Sequence, residues 1–270
     1  MRRPLVTLLS DFGNEGPYVA EMRAALLALL PEVRLIDISH EVPTHDVLHA
    51  AWVLAAAAPR FPDGSVHLAV VDPGVGSERR ALVVETRRHR YVGPDNGLFT
   101  LVYEHEPEAV VYSVENRALL GEAVHPTFHG RDLFAPLAAR LAEGLDAADA
   151  GPRIADPIQL AIDPPRRASD GRWQLFVLHV DRFGNIALHL SRAAAARLWP
   201  SGNPSSLALA DGSLAMPFVE TYSQAPHDTL VALWGSSGYL ELALREGQAA
   251  RRLGVRAGDT LELTAMTSDS

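Results

Sequence analysis

Val70-Val71-Asp72-Pro73-Gly74-Val75-Gly76-Ser77-Glu78-Arg79-Arg80 decides how this chain is read. The apolar run from His67 to Val71 predicts a buried strand that delivers a carboxylate, Asp72, to a turn shaped by Pro73, Gly74 and Gly76. Two arginines follow, and Ala81 to Thr86 predicts a second strand. Opposite charges therefore meet at the mouth of a sheet, where ligand crevices of α/β proteins lie. Gly74-x-Gly76-x-x-Arg79 is one residue away from a dinucleotide fingerprint. That reading fails because the third glycine is an arginine and a strand, not a phosphate-binding helix, comes next.

Outward from this stretch, strands and helices alternate. Leu5 to Leu9 predicts a strand running into Ser10-Asp11-Phe12-Gly13, and Val19 to Leu30 has helical spacing stopped by Pro31. Arg34 to Ile38 reads as a strand and Asp46 to Ala58 as an Ala-rich helix. Strands at 66–71, 81–86 and 89–92 precede Gly93-Pro94-Asp95-Asn96-Gly97, a turn by composition. A helix at 98–103, a strand at 109–113 and a helix at 133–143 with Asp132 as its N-cap complete the first part. Residues 146–172, rich in Pro, Asp, Gly and Arg, read as a linker. Beyond it, short strands are expected at 173–181, 185–190, 206–210, 214–219, 229–234, 239–244 and 260–265. The expected architecture is an α/β N-terminal domain (1–160) with a largely parallel sheet, plus a small all-β, barrel-like C-terminal domain (170–270).

Composition narrows the chemistry. With no cysteine, the chain cannot use disulfides, thiol nucleophiles or Cys-based metal sites. All 24 basic residues are arginine, which removes Schiff-base chemistry and the phosphate-binding lysine of P-loops. A net charge of -9 and no basic cluster beyond Arg87-Arg88-His89-Arg90 argue against nucleic acid. No apolar stretch long enough to span a membrane and no leader segment are read, so a cytoplasmic location without membrane partners is expected.

Asp11, Asp37 and Asp72 stand at predicted strand ends. Asp11, beside a glycine that admits a ligand, suits a ribose diol; Asp37 reads as a cap or turn former. His125 and His129 are four apart, but His125 precedes Pro126, which disfavours helix and spoils a metal-binding face. No metal is therefore expected, and no cofactor is called for. His129, in Phe128-His129-Gly130-Arg131-Asp132, is the histidine placed for proton chemistry. Further on, Asn185 in Asp181-Arg182-Phe183-Gly184-Asn185 could pair with a purine edge, and Ser236 and Ser237 in a polar loop could hold an amino-acid carboxylate.

Taken in order, Ser-Asp-Phe-Gly, Val-Val-Asp-Pro-Gly-Val-Gly-Ser with Arg79, Gly-Pro-Asp-Asn-Gly, Phe-His-Gly-Arg-Asp, Asp-Arg-Phe-Gly-Asn and Ser-Ser-Gly-Tyr-Leu-Glu resemble the S-adenosyl-L-methionine (SAM) hydroxide adenosyltransferases, relatives of the SAM-dependent fluorinase and chlorinase. The resemblance spans residues 5–265. It implies hydrolysis of SAM to adenosine and L-methionine, and a homotrimer with sites shared between subunits. It also implies a catalytic triad of Asp72, Arg79 and His129, with Arg80 the alternative arginine. Asp11 matches the ribose acid, Asp181 and Asn185 the methionine-amine and adenine side, and Ser236 and Ser237 the facing loop. Tyr222 and Glu241 join as further pocket residues. Either Asp72 or His129 could take the proton of the attacking water. Two other readings fit the same residues: a binding protein that holds adenosine or SAM without turnover, and a metal-dependent hydrolase.

Overall fold

The computed structural model describes residues 3–120, 123–200, 202–210, 212 and 214–266. Two compact units divide the chain, Met1–Leu160 and Ala161–Ser270.

The first unit is built on a seven-stranded sheet. Its elements, in chain order, are β1 (Leu5–Ser10), α1 (Tyr18–Leu29), β2 (Arg34–Ser39), α2 (Val47–Ala57), β3 (Val66–Val70), β4 (Ala81–Glu85), β5 (Arg90–Pro94), α3 (Thr100–His105), β6 (Val110–Ser113), α4 (Ala135–Glu143) and β7 (Arg153–Ile154). The strand order is β2-β1-β3-β5-β4-β6-β7. The first four pair in parallel, and β4, β6 and β7 add on antiparallel, so five of the seven strands share one direction. Strands β1 and β3 are buried along their whole length, which is why they read as largely apolar runs. Two cores result: Leu8, Leu68, Val83 and Phe134 on one side, and Leu9, Leu54, Leu82 and Phe99 on the other. Gly93 in β5 is required, because a Cβ there would lie 2.3 Å from the Ala69 carbonyl oxygen of β3.

The second unit contains β8 (Arg166–Arg167), β9 (Trp173–Val180), β10 (Ile186–Ser191), α5 (Arg192–Leu198), β11 (Ser206–Leu209), β12 (Ala215–Pro217), β13 (Leu230–Trp234), β14 (Tyr239–Leu244), α6 (Ala249–Leu253) and β15 (Thr260–Met266). All named pairings are antiparallel, in the order β12-β11-β15-β9-β10-β14-β13 with β8 on β9. The Val219 amide donates to the Ala232 carbonyl (2.9 Å), bringing the chain after β12 onto β13 and nearly closing a barrel. Its interior holds Leu175, Val177, Leu188, Leu240, Leu242 and Leu263.

Three details depart from the sequence reading. The stretch expected to be a linker carries β7 and β8, each paired to a neighbouring strand. Helices α5 and α6 were not anticipated, although Ser191 caps α5 through the Ala194 amide (3.1 Å) ahead of an alanine run. Asp132 does not cap a helix: a π-helical turn, Gly130–Phe134, winds directly into α4 and Asp132 lies inside it. Among the described residues no helix is long and apolar enough to cross a membrane.

Buried His67 contributes to the acid sensitivity of the first unit. His67 on β3 is fully buried, holds Thr7 Oγ1 at 2.7 Å through Nδ1, and packs against His89 and Tyr91. Burial, aided by His89, pushes its pKa down from 6.5 to about 3. Between those values the unfolded chain binds the extra proton, so stability falls as pH drops below about 6.5. In urea titrations from pH 7 to pH 4, His67→Leu should flatten the pH slope by about one proton, ~1.4 kcal/mol per pH unit.

Candidate active site

The loop after β3 folds back on itself through two successive turns, in which the Val75 amide donates to the Asp72 carbonyl (3.2 Å) and the Ser77 amide to the Gly74 carbonyl (3.1 Å). Gly76 makes the return possible: its φ is +78°, and a Cβ there would sit 2.7 Å from the Pro126 carbonyl oxygen. Asn96 pins the end of the strand, donating from Nδ2 to the Val71 carbonyl at 2.8 Å. Asp72 and Arg79, seven residues apart, are thereby brought side to side.

Arg79 is the hub. Its Nε donates to both Asp72 oxygens (2.9 and 3.1 Å), and its Nη2 donates to Asp72 Oδ2 and, at 2.7 Å, to His129 Nδ1. The side chains of Asp72 and Arg79 are 5% and 9% exposed, so the pair is held away from water. Phe134, at the end of the π-helical turn, lies under the guanidinium with its centroid 5.1 Å from Cζ. Arg80 turns elsewhere: its Nε binds Asp95 Oδ2 (2.7 Å), and its Nη1 and Nη2 bind the carboxylate and carbonyl of Asp156. Of the two neighbouring arginines, Arg79 bridges Asp72 and His129, and Arg80 does not.

The bridge also sets the state of His129. A guanidinium only donates, so Nδ1 must accept and the neutral ring carries its proton on Nε2. Burial and the Arg79 cation hold its pKa below the ordinary imidazole value, against the opposing pull of Asp72 and Asp132.

Asp72 and His129 open onto a cavity of about 550 Å³ that also contains Asp11, Phe12, Tyr18 and Phe128. Asp11 stands just past β1, and its Oδ2 accepts the His45 amide at 2.9 Å. His45 takes a left-handed backbone, φ 64°, to make that contact. The rings of Phe12, Tyr18 and Phe128 pack with centroids 5.3–6.0 Å apart. This aromatic wall was not anticipated: Phe12 and Phe128 stand inside the quoted motifs, whereas nothing in the sequence marks half-exposed Tyr18. Asp37 belongs to another cluster, with Arg23 and His40. Among the described residues no group of three or more acidic or histidine side chains is placed to hold a metal ion.

The remaining expected residues lie in the second unit. Asp181 Oδ1 accepts the amides of Phe183 and Asn185 (both 2.9 Å), and Oδ2 accepts Asn185 Nδ2 at 3.1 Å. Asp181 therefore organises the β9–β10 turn, and Asn185 retains its carbonyl oxygen for other partners. Glu241 on β14 accepts Tyr222 OH at 2.6 Å. Burial and the nearby Asp181 charge raise the Glu241 pKa, and burial beside Glu241 raises that of Tyr222. Ser236 and Ser237 occupy the tight β13–β14 turn, closed by Gly238 N to Gly235 O at 2.9 Å. Thus Asp72, Arg79, His129 and Asp11 form one group in the first unit, and Asp181, Asn185, Tyr222 and Glu241 cluster in the second, with Ser236 and Ser237 on the neighbouring hairpin.

An arginine-braced carboxylate beyond β3 and an imidazole before the π-helical turn thus meet in an α/β unit, in a chain that also carries an antiparallel β unit. The chain matches the SAM hydroxide adenosyltransferase N-terminal domain over residues 6–151 and the C-terminal domain over residues 175–262, and it belongs to that family. It is 40% identical over 265 residues to a protein of Thermus thermophilus named (R)-S-adenosyl-L-methionine hydrolase, covering 96% of this chain and 98% of that one. A fluorinase of Nocardia brasiliensis is more distant, 25% identical over 291 residues with 97% of each chain covered. A crystal structure of an uncharacterized conserved protein from Thermotoga maritima superposes with a TM-score of 0.87 at 32% identity, covering 96% of this chain and 99% of that one.

Arg79→Met leaves the buried Asp72 carboxylate without its counter-charge and should destabilise the protein by about 3–5 kcal/mol. Adding Asp72→Asn to that variant should recover a substantial part of the loss. Urea unfolding of the two single variants and the double variant measures this coupling.

Proposed function

We propose that this protein hydrolyses S-adenosyl-L-methionine to adenosine and L-methionine. The observation that carries the reading is the single Arg79 guanidinium shared by Asp72 and His129 Nδ1. A water oxygen attacks C5′ of the ribose as the C5′–S bond breaks. The bonding pair goes to sulfur, and the sulfonium leaves as a neutral thioether that needs no proton. One proton must leave the water. His129 cannot take it at Nδ1, which Arg79 occupies, and its Nε2 is already protonated. Nε2–H is suited to orient the water, and the anionic Asp72, with acceptor capacity beyond its three bonds from Arg79, is the proton's destination. Arg79 offsets the charge that develops on the oxygen. Asp11 Oδ1 is assigned to the ribose hydroxyls.

The name of the Thermus thermophilus relative specifies the R configuration at sulfur, and we extend that preference to this chain. We further propose a homotrimer in which the second unit of a neighbouring subunit supplies the adenine and methionine contacts of Asn185, Ser236, Ser237, Tyr222 and Glu241. No cofactor enters the scheme. Light scattering should give three times the chain mass; an active monomer would remove the shared-site part of the proposal.

Incubation with each sulfonium epimer in excess chelator should yield equimolar adenosine and methionine, faster from the R epimer. Arg79→Ala and His129→Ala should lower kcat by about 10²–10³ with smaller changes in KM, because their partner gains charge mainly in the transition state. Asp11→Ala should act chiefly on KM. The acid limb of kcat should have its midpoint below 6.5, because neutral His129 is the working form and its pKa is lowered. Absence of adenosine from both epimers would refute the assignment.

A further inference from the structure

Arg79 fixes one nitrogen of His129, but the place from which that ring projects is set by the backbone of residues 125–134. This segment ends in the π-helical turn Gly130–Phe134. Such turns are rare and strained relative to an α-helix, and they persist only where neighbouring contacts hold them. Here the turn carries His129 immediately before its start and Phe134 at its end, the two groups that flank the Arg79 guanidinium. Any slip of the turn moves both.

The contacts that hold it converge on one side chain. Arg131 Nη1 donates to Glu21 Oε2 on α1 at 2.6 Å. Its Nε and Nη2 grip Asp132 Oδ1 and Oδ2 at 2.6 and 2.9 Å. Asp132 Oδ2 in turn accepts the His125 amide at 3.0 Å, closing the segment into a ring from 125 to 132. The guanidinium also lies 5.0 Å from the centroid of Phe128, whose ring packs against Phe12 and Tyr18. Arg131 therefore ties α1, the aromatic wall and the His129 loop together, while its ionic partners are Glu21 and Asp132 rather than Asp72.

We propose that Arg131, anchored by Glu21, is a positioning residue that keeps His129 aligned with Arg79 and the cavity. With Arg131 and Glu21 side chains 34% and 39% exposed, solvent weakens the attraction between them. The role is geometric: a fork that grips two elements at once holds a ring to tolerances at which a ~1 Å error costs about 10²-fold in rate. The charged groups around His129 are Asp72 and Arg79 from the loop after β3 and Asp132 from the π-helical turn. Glu21 on α1 and Asp11 after β1 border the same cavity.

The kinetic part rests on the proposed hydrolysis, so the test has a second arm that does not. Arg131→Ala, Arg131→Lys and Glu21→Gln are compared with wild type for kcat and KM on SAM. The His129 tautomer and titration are followed by ¹⁵N-resolved NMR of the imidazole. Arg131→Ala should lower kcat 10- to 100-fold with KM changed less than threefold, and should erode the Nε2–H tautomer as the Arg79 contact loosens. Glu21→Gln should act in the same direction by about threefold, and lysine should rescue partly. A rise in KM at unchanged kcat would make Arg131 a substrate contact and overturn the proposal. So would an unaltered tautomer and kcat with lowered melting temperature alone. If wild type itself turns over no SAM, the hydrolase reading fails, and the NMR arm still decides whether Arg131 positions His129.

Discussion

The buried ion pair between Asp72 and Arg79, extended to His129 through the same guanidinium, is the interaction around which the first unit is arranged. Two charges with under a tenth of their side-chain surface in water would each cost several kcal/mol if left alone. The fold meets that cost with three bonds between them, a fourth to the imidazole and an aromatic ring beneath. Each nearby oddity of sequence follows from that requirement. Gly76 lets the loop close against Pro126, Asn96 holds the strand end, and the π-helical turn brings both Phe134 and His129 against Arg79. A lysine could not replace this arginine, because only a planar fork reaches a carboxylate with two nitrogens and still has a donor for the histidine.

The same geometry bears on why water, rather than a halide, is the fitting nucleophile. In the proposed mechanism, an anion entering beside Asp72 meets a carboxylate, whereas water meets an acceptor for its proton and an Nε2–H donor for its oxygen. The distant fluorinase relative shows that the overall scaffold is compatible with halide chemistry elsewhere in sequence space. In the proposed mechanism, the charge of Asp72 and Arg79 and the tautomer of His129 favour water here.

Much of this was legible in the amino-acid order, and the reasons are local. Strands β1 and β3 are buried on both faces, so their apolar runs stand out, and the turns after them are written in Gly, Pro and Asp. Asp11, Asp72 and Arg79 drew attention in the segments after those strands, and His129 in Phe128-His129-Gly130-Arg131-Asp132 before a helix. What stayed hidden depends on distant partners. Arg79 and Arg80 are neighbours in the chain, and only the contacts with His129 on one side and with Asp95 and Asp156 on the other tell them apart. The π-helical turn reads as an ordinary helix start, since one extra residue in a turn leaves no compositional trace. Tyr18 joins the aromatic wall through the packing of α1, which the spacing of that helix does not announce.

Turnover in ¹⁸O-labelled water with chloride and fluoride present tests the central claim most directly, because it identifies the atom that attacks C5′. The account predicts label at the 5′ oxygen of adenosine in stoichiometric amount, at a rate indifferent to halide. Formation of 5′-halo-5′-deoxyadenosine as the main product, or adenosine without label, would contradict it.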